Sequence, residues 1–179
     1  GTAGYSHHAI EDAGAVASII GIQVFTPACI HELEKILVSF WSNPRPLYIR
    51  LGSNESCDVS HNVDGKAYFS TVSKGSSDIA IICHGEILLE VLEFKTQTEL
   101  DISLYSAFNF NRLSQALQDE LTDYKTLITV EEHESEGGFG MRVISSLNMS
   151  GNRGFMRVGI EDYDSHVGGG RDFLLRSNG

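Results

Sequence analysis

From Ile22 to Leu175 the chain alternates short apolar runs with segments whose apolar residues recur every three or four positions. That alternation constrains the fold more than any other feature. Ile22–Phe25, Leu47–Leu51, Ala67–Val72, Asp78–Cys83, Asp101–Ser106, Leu127–Val130 and Gly154–Val158 have the length and apolar content of strands. Between them Ile30, Leu33, Ile36, Leu37 and Phe40 predict an amphipathic helix with Glu32 and Lys35 on its outer side. Further helices are expected over Glu86–Phe94, Arg112–Leu121 and Gly140–Leu147. Strands separated by helices need right-handed crossovers, so the expected class is α/β, a mainly parallel sheet flanked by helices.

The alternation is unevenly distributed. Residues 67–179 carry enough strands and helices for a complete small α/β domain, whereas 1–53 carry two strands and two helices. Within 1–53 a helix is expected to begin after a Ser6 cap and run to Gly21. Val24–Phe25 and Tyr48–Leu51 are apolar on both faces, which calls for sheet partners outside this chain. Residues 54–66 are polar and turn-rich and are read as a linker. The expected organisation is an incomplete α/β segment over 1–53, a linker over 54–66, and a domain over 67–179.

Charge and composition exclude several classes. With 24 acidic against 13 basic residues, the net charge of -11 repels phosphate backbones and anionic lipid, so neither nucleic acid nor a membrane is an expected partner. The longest apolar runs, such as Ile79–Cys83, are strand-sized, and nothing at the start reads as a signal peptide. Cys29, Cys57 and Cys83 are too scattered for a disulfide framework or a thiolate zinc site, which points to a reducing compartment, the cytoplasm. Cys83, in an apolar strand, reads as a small buried hydrophobe.

Three stretches could carry chemistry. In Gly4-Tyr5-Ser6-His7-His8-Ala9-Ile10-Glu11-Asp12 two imidazoles sit beside a helix start, whose N–H groups favour a neutral histidine able to exchange hydrogen bonds with a substrate oxygen. The alternative is an ordinary polar helix start. A metal on His7, His8 and Glu11 is disfavoured because adjacent imidazoles diverge. Val130–Gly140 has the outline of a phosphate cradle, but Glu131, Glu132, Glu134 and Glu136 oppose an anion. A tight turn with a packed Phe139 is the simpler reading. Val167–Leu175 reads as a glycine loop feeding a terminal helix that Arg171 or Asp172 begins, with the role of Arg171 open. His31, His61, His84 and His166 share no pattern and receive no role.

In order and spacing, these pieces resemble the transketolase superfamily. Gly4–His8 resembles its His-containing turn, Val24-Phe25-Thr26-Pro27-Ala28 its strand and Pro turn, and Pro46–Leu51 the end of its pyrimidine-binding domain. Asp78–Gly85 and Ile128–His133 before Gly137-Gly138-Phe139-Gly140 resemble its C-terminal domain. The likeness implies an enzyme that transfers a two-carbon ketol unit, or a related decarboxylation, by attack of the thiamine diphosphate ylid on a carbonyl. It implies His7, and more weakly His8, as catalytic residues.

Departures from the family pattern shape the rest. Ala3 stands where phosphosugar enzymes carry Asp, and Gly52-Ser53-Asn54 where they place a phosphate-binding Arg. The Gly-Asp-Gly…Asn motif that holds the diphosphate through a divalent metal such as Mg2+, and the Glu that activates the cofactor, are absent from these residues. No cofactor-binding or metal-binding residue is therefore assigned in this chain. The resemblance implies a missing N-terminal portion or partner subunit that carries the cofactor site, a homo-oligomeric assembly, and no activity from this chain alone. A deoxyxylulose-phosphate-synthase-like enzyme and a non-catalytic dimerisation module are the alternatives.

Overall fold

A computed structural model describes residues 9–52, 62–64, 67–134, 136–147, 153–161 and 169–177. The order is α1 (Asp12–Ala17), β1 (Gln23–Phe25), α2 (Ile30–Ser42), β2 (Leu47–Ile49), β3 (Asn62–Asp64), β4 (Phe69–Ser73) and β5 (Ile79–Cys83). There follow α3 (Ile87–Thr98), β6 (Ser103–Ala107), α4 (Gln115–Glu120), β7 (Thr126–Glu134), α5 (Phe139–Ser146), β8 (Gly154–Ile160) and α6 (Arg171–Ser177). Most of the linker read over 54–66 lies outside the described residues, but Asn62–Asp64 within it form an edge strand antiparallel to β4.

Six strands make one sheet in the order β3-β4-β6-β5-β7-β8. β6, β5, β7 and β8 are mutually parallel, and β4 runs against β6. The sheet is thus mainly parallel and flanked by helices, as the alternation requires. Ala80 and Ile82 of β5 point into one core with Leu117 of α4 and Val143 of α5. Ile81 and Cys83 point into the other with Leu88 and Val91 of α3. Two-sided burial explains why β5 is apolar at every position.

The chain leaves β5 through α3 to reach β6 on one side, then crosses through α4 to β7 on the other. Between the carboxyl ends of β5 and β7 such a reversal opens a crevice, the usual ligand position in doubly wound sheets. Here the N-terminal segment enters it. β1 pairs in parallel with β2 and, along its other edge, with the stretch after β6. Thr26 N–H donates to Phe108 O at 3.0 Å, Phe110 N–H to Val24 O at 2.9 Å, and Gly85 N–H to Thr26 O at 2.9 Å. Gly85 has φ +67°, so the turn out of β5 suits glycine. The expectation that Val24–Phe25 lacks partners within this chain is therefore corrected: both edges of β1 are engaged, one of them by a non-regular segment that no strand periodicity marks.

Aromatic packing seals the joint. Phe25 meets Phe40 edge-on at 5.4 Å and Tyr68 at 4.9 Å, and Tyr68 continues to Phe108 at 6.1 Å. α2 is rotated relative to its apolar periodicity. It buries Glu32, Ile36 and Phe40 and leaves Ile30, Leu37, Val38 and Trp41 exposed. Glu32 is not on the outer side because its carboxylate accepts Ala28 N–H at 2.7 Å and the Ser70 hydroxyl at 2.9 Å. Those bonds satisfy the turn that precedes the helix and tie it to β4. α1 stops at Ala17, short of Gly21, with Ser18 N–H bonded back to Ala15 O at 3.3 Å.

Phe25→Ala should destabilise the chain by about 3–5 kcal/mol, because it empties a fully buried aromatic site. Trp41→Ala, at an 89% exposed position, should change stability by less than about 0.5 kcal/mol. Urea unfolding followed by circular dichroism measures both.

Candidate functional site

β7 continues beyond Val130 to Glu134, and its burial alternates strictly: Leu127, Thr129, Glu131 and His133 face inward. The period of two carries the apolar face of the strand directly into two polar residues at its carboxyl end. Glu131 accepts the N–H of Gly140 at 2.8 Å and the N–H of Phe139, so a carboxylate of this chain occupies the N-terminus of α5. A Cβ on Gly138 would collide with Glu131 Oε2, so the loop closes tightly over that carboxylate. An incoming phosphate would meet Glu131 where its hydrogen-bond donors should be. Phe139 is fully buried, in line with a tight strand-to-helix turn.

Beside Glu131 the crevice collects residues from both parts of the chain. His84 follows β5 and stacks on His133, with ring centroids 5.0 Å apart. Phe110 and Phe139 enclose His84 at 5.4 and 4.7 Å. Nδ1 of His84 shares a hydrogen bond with Thr26 Oγ1 at 2.7 Å. Arg50, just after β2, donates from one guanidinium nitrogen to Asp12 Oδ1 at 2.9 Å, to Ala9 O at 3.4 Å and to His133 Nε2 at 2.5 Å. The hydroxyl of Tyr48 donates to Asp12 Oδ2 at 2.6 Å.

Burial governs the protonation of this cluster. It lowers His84 well below the ordinary histidine value, with His133 and Arg50 adding to the effect. It also lowers His133, against the pull of Asp12. Burial raises Glu131 to about 7, although the Gly140 and Phe139 N–H groups and Arg157 favour its charged form. For Asp12 burial is outweighed by His133, Tyr48 and Arg50, and its carboxyl is held below the usual range. Two buried ring nitrogens, Nε2 of His84 and Nδ1 of His133, have no hydrogen-bond partner among the described residues.

His7 and His8 lie outside the described residues. The first described residue, Ala9, has φ +45°, an uncommon conformation for a residue with a Cβ, and its carbonyl is held by Arg50 and by Asp12 N–H. Arg171 begins α6, and its guanidinium is committed to Glu86 at 3.5 Å, Glu90 at 2.5 Å and Glu132. It closes the terminal helix onto α3 and β7. Sequence reasoning quoted Arg50, Glu131 and His133 within motifs without giving them a role, and gave His84 none. Extending the two-residue alternation of β7 past Val130 is the signal that marks Glu131 and His133. Nothing local marks His84 or Arg50, because His84 meets Thr26 from 58 positions away and Arg50 meets His133 from 83.

No protein-family model matches the chain. It is 26% identical over 182 residues to a subunit of the apulose-4-phosphate transketolase of Actinobacillus succinogenes, covering 97% of this chain and 58% of that protein. It is 26% identical over 177 residues to 1-deoxy-D-xylulose-5-phosphate synthase of Halothermothrix orenii, covering 90% of this chain and 27% of that one. A solved structure described as a split-gene transketolase in an inactive tetrameric form superposes with a TM-score of 0.76 at 21% identity, over 95% of this chain and 56% of that chain. The sequence relatives and the shared fold together support membership of the transketolase superfamily. It spans from about a quarter to somewhat over half of the length of these relatives. Within that superfamily frame, the joint between the short N-terminal segment and the six-stranded domain is where this chain gathers its buried polar groups.

Two outcomes follow from these charges. Glu131 holds its proton to about pH 7 when folded, whereas the unfolded chain releases it near 4.5. The folded state binds more protons across that window, so this group's contribution declines by up to about 3 kcal/mol as pH rises from 4.5 to 7. The stability difference between the wild type and Glu131→Gln, from denaturation at a series of pH values, should fall over the same window. Arg171→Met should cost about 3 kcal/mol by stranding three carboxylates, and should speed amide hydrogen exchange in α6.

Proposed function

We propose that this chain is the C-terminal part of a transketolase-like, thiamine-diphosphate-dependent enzyme that transfers a two-carbon ketol unit. The observation that carries this reading is the match to a transketolase subunit over 97% of the chain, together with its fold. An N-terminal portion or partner subunit completes the enzyme, the assembly is a homo-oligomer of such units, and it works in the cytoplasm. Buried free thiols at Cys29 and Cys83 suit that compartment. No helix among the described residues is long and apolar enough to cross a membrane.

Thiamine diphosphate supplies the carbon nucleophile of such chemistry. The described residues do not fit its diphosphate, because the glycine loop before α5 is filled by Glu131. The grip on the cofactor and on a divalent metal such as Mg2+ therefore belongs to the completing portion, and no step is assigned to this chain through it. What this chain contributes is His7, with His8 beside it, as a hydrogen-bond donor to a substrate oxygen. Arg50, Asp12, Tyr48 and His133 support that role by holding Ala9 and the start of α1 directly after it. A left-handed Ala9 after the two histidines suits a turn under functional constraint.

The 1-deoxy-D-xylulose-5-phosphate synthase relatives keep a second reading in view, condensation of pyruvate with glyceraldehyde phosphate. Assay of the chain with and without the completing subunit, using a ketose donor or pyruvate plus glyceraldehyde phosphate, separates the two. The expected result is ketol transfer in the mixture only, reduced about 10²–10⁴-fold by His7→Ala with assembly intact. Turnover by the isolated chain overturns the reading. Full activity of His7→Ala in the mixture makes the chain an interaction module.

A further inference from the structure

His84, Glu131 and His133 form a buried group in which only His133 has been given a part above, through its contact with Arg50. Among the described residues, each offers a ligand atom, and the three atoms lie within 4.8 Å of one another. Their side chains meet at the carboxyl ends of β5 and β7, where a doubly wound sheet usually receives a ligand. All three residues are at most 4% exposed, yet Nε2 of His84 and Nδ1 of His133 have no partner among the described residues. A buried polar nitrogen left without a hydrogen bond costs stability unless something binds it. Two such atoms in stacked rings, beside a carboxylate, are the donor set of a borderline-soft divalent ion.

We propose that His84 Nε2, His133 Nδ1 and the Glu131 carboxylate bind a divalent transition metal of the zinc class, with a fourth position left to a water. Each ligand already has a second partner that orients it. His84 Nδ1 and Thr26 Oγ1 lie 2.7 Å apart, and with metal bound Nδ1–H would donate to that hydroxyl and leave Nε2 as the lone pair. Each Glu131 oxygen accepts one backbone N–H and keeps a second lone pair. His133 must change tautomer. Without metal its Nε2 accepts from Arg50, so the proton sits on Nδ1. On binding, that proton passes to Nε2 through solvent, and Nε2–H finds Asp12 Oδ1, now 3.7 Å away, while Arg50 keeps Ala9 O. The imidazole stays neutral throughout, and a protonated Glu131 releases one proton to solvent.

The ligands all come from the six-stranded domain, and the groups that orient the histidines, Thr26 and Asp12, come from the N-terminal segment. The metal would therefore tighten the docking of one on the other.

The test uses the full chain, free of any affinity tag and stripped with chelator, titrated with ZnCl2 and separately with CoCl2 as the spectroscopic probe. The expected result is one metal per chain after gel filtration, visible Co2+ d–d bands, a rise in melting temperature, and weaker binding at lower pH as protons compete for the ligands. His84→Gln and His133→Gln should abolish the Co2+ bands. Should either fail to fold, Thr26→Val, which leaves every ligand in place, should weaken binding about 10–100-fold. Substoichiometric metal in the wild type, or identical binding by wild type and Thr26→Val, overturns the proposal.

Discussion

The architecture depends on how β1 is held. A three-residue strand has too little surface to be stable alone, yet Val24 and Phe25 are completely buried. β2 takes one edge and the backbone of residues 108–110 the other, so its hydrogen-bonding groups find partners within the chain. That placement carries Thr26 to His84 and, through β2, brings Tyr48 and Arg50 to Asp12 and His133. The cluster of buried polar groups follows from the seating of one short strand in the crevice of the six-stranded sheet.

Filling that crevice from within has a chemical consequence. Open doubly wound sheets present the carboxyl ends of their strands to solvent, where small ligands bind. Here the opening is closed by Phe110, Phe139, Thr26 and the Arg50–Asp12 pair. The imidazoles inside lose their charge because burial penalises it, and Glu131 is raised for the same reason. Arg50 and Asp12, each only partly buried, form an ion pair at 2.9 Å. The joint is therefore neutral inside and ionic at its rim, an arrangement that limits the cost of desolvation.

The Arg171 network shows the same logic at the other end of the chain. Glu86 and Glu90 near the start of α3 and Glu132 on β7 crowd three carboxylates together, and one guanidinium from α6 meets all three. A planar group with five donors suits this better than a lysine would. Glu131 and Glu132 are neighbours in sequence with opposite tasks, because successive strand residues point to opposite faces. One caps α5 on one side of the sheet and the other receives α6.

Much of the fold was legible in the residues alone. The apolar alternation foretells a mainly parallel sheet flanked by helices, and each strand and helix read from it is found within a few residues of its expected place, apart from α1, which begins at Asp12 and not directly after Ser6. Local pattern determines this because backbone hydrogen bonding and side-chain periodicity act within a few residues. Tertiary structure alone decided the rest: that β1 finds its second edge in a non-regular segment, that Glu32 turns inward to serve a turn and Ser70, that β7 extends to deliver Glu131 and His133, and that His84, Arg50 and Asp12 converge. Such contacts join residues distant in the chain, 83 positions in the case of Arg50 and His133. Their energies come from burial and partner geometry, and neither exists until the chain has folded.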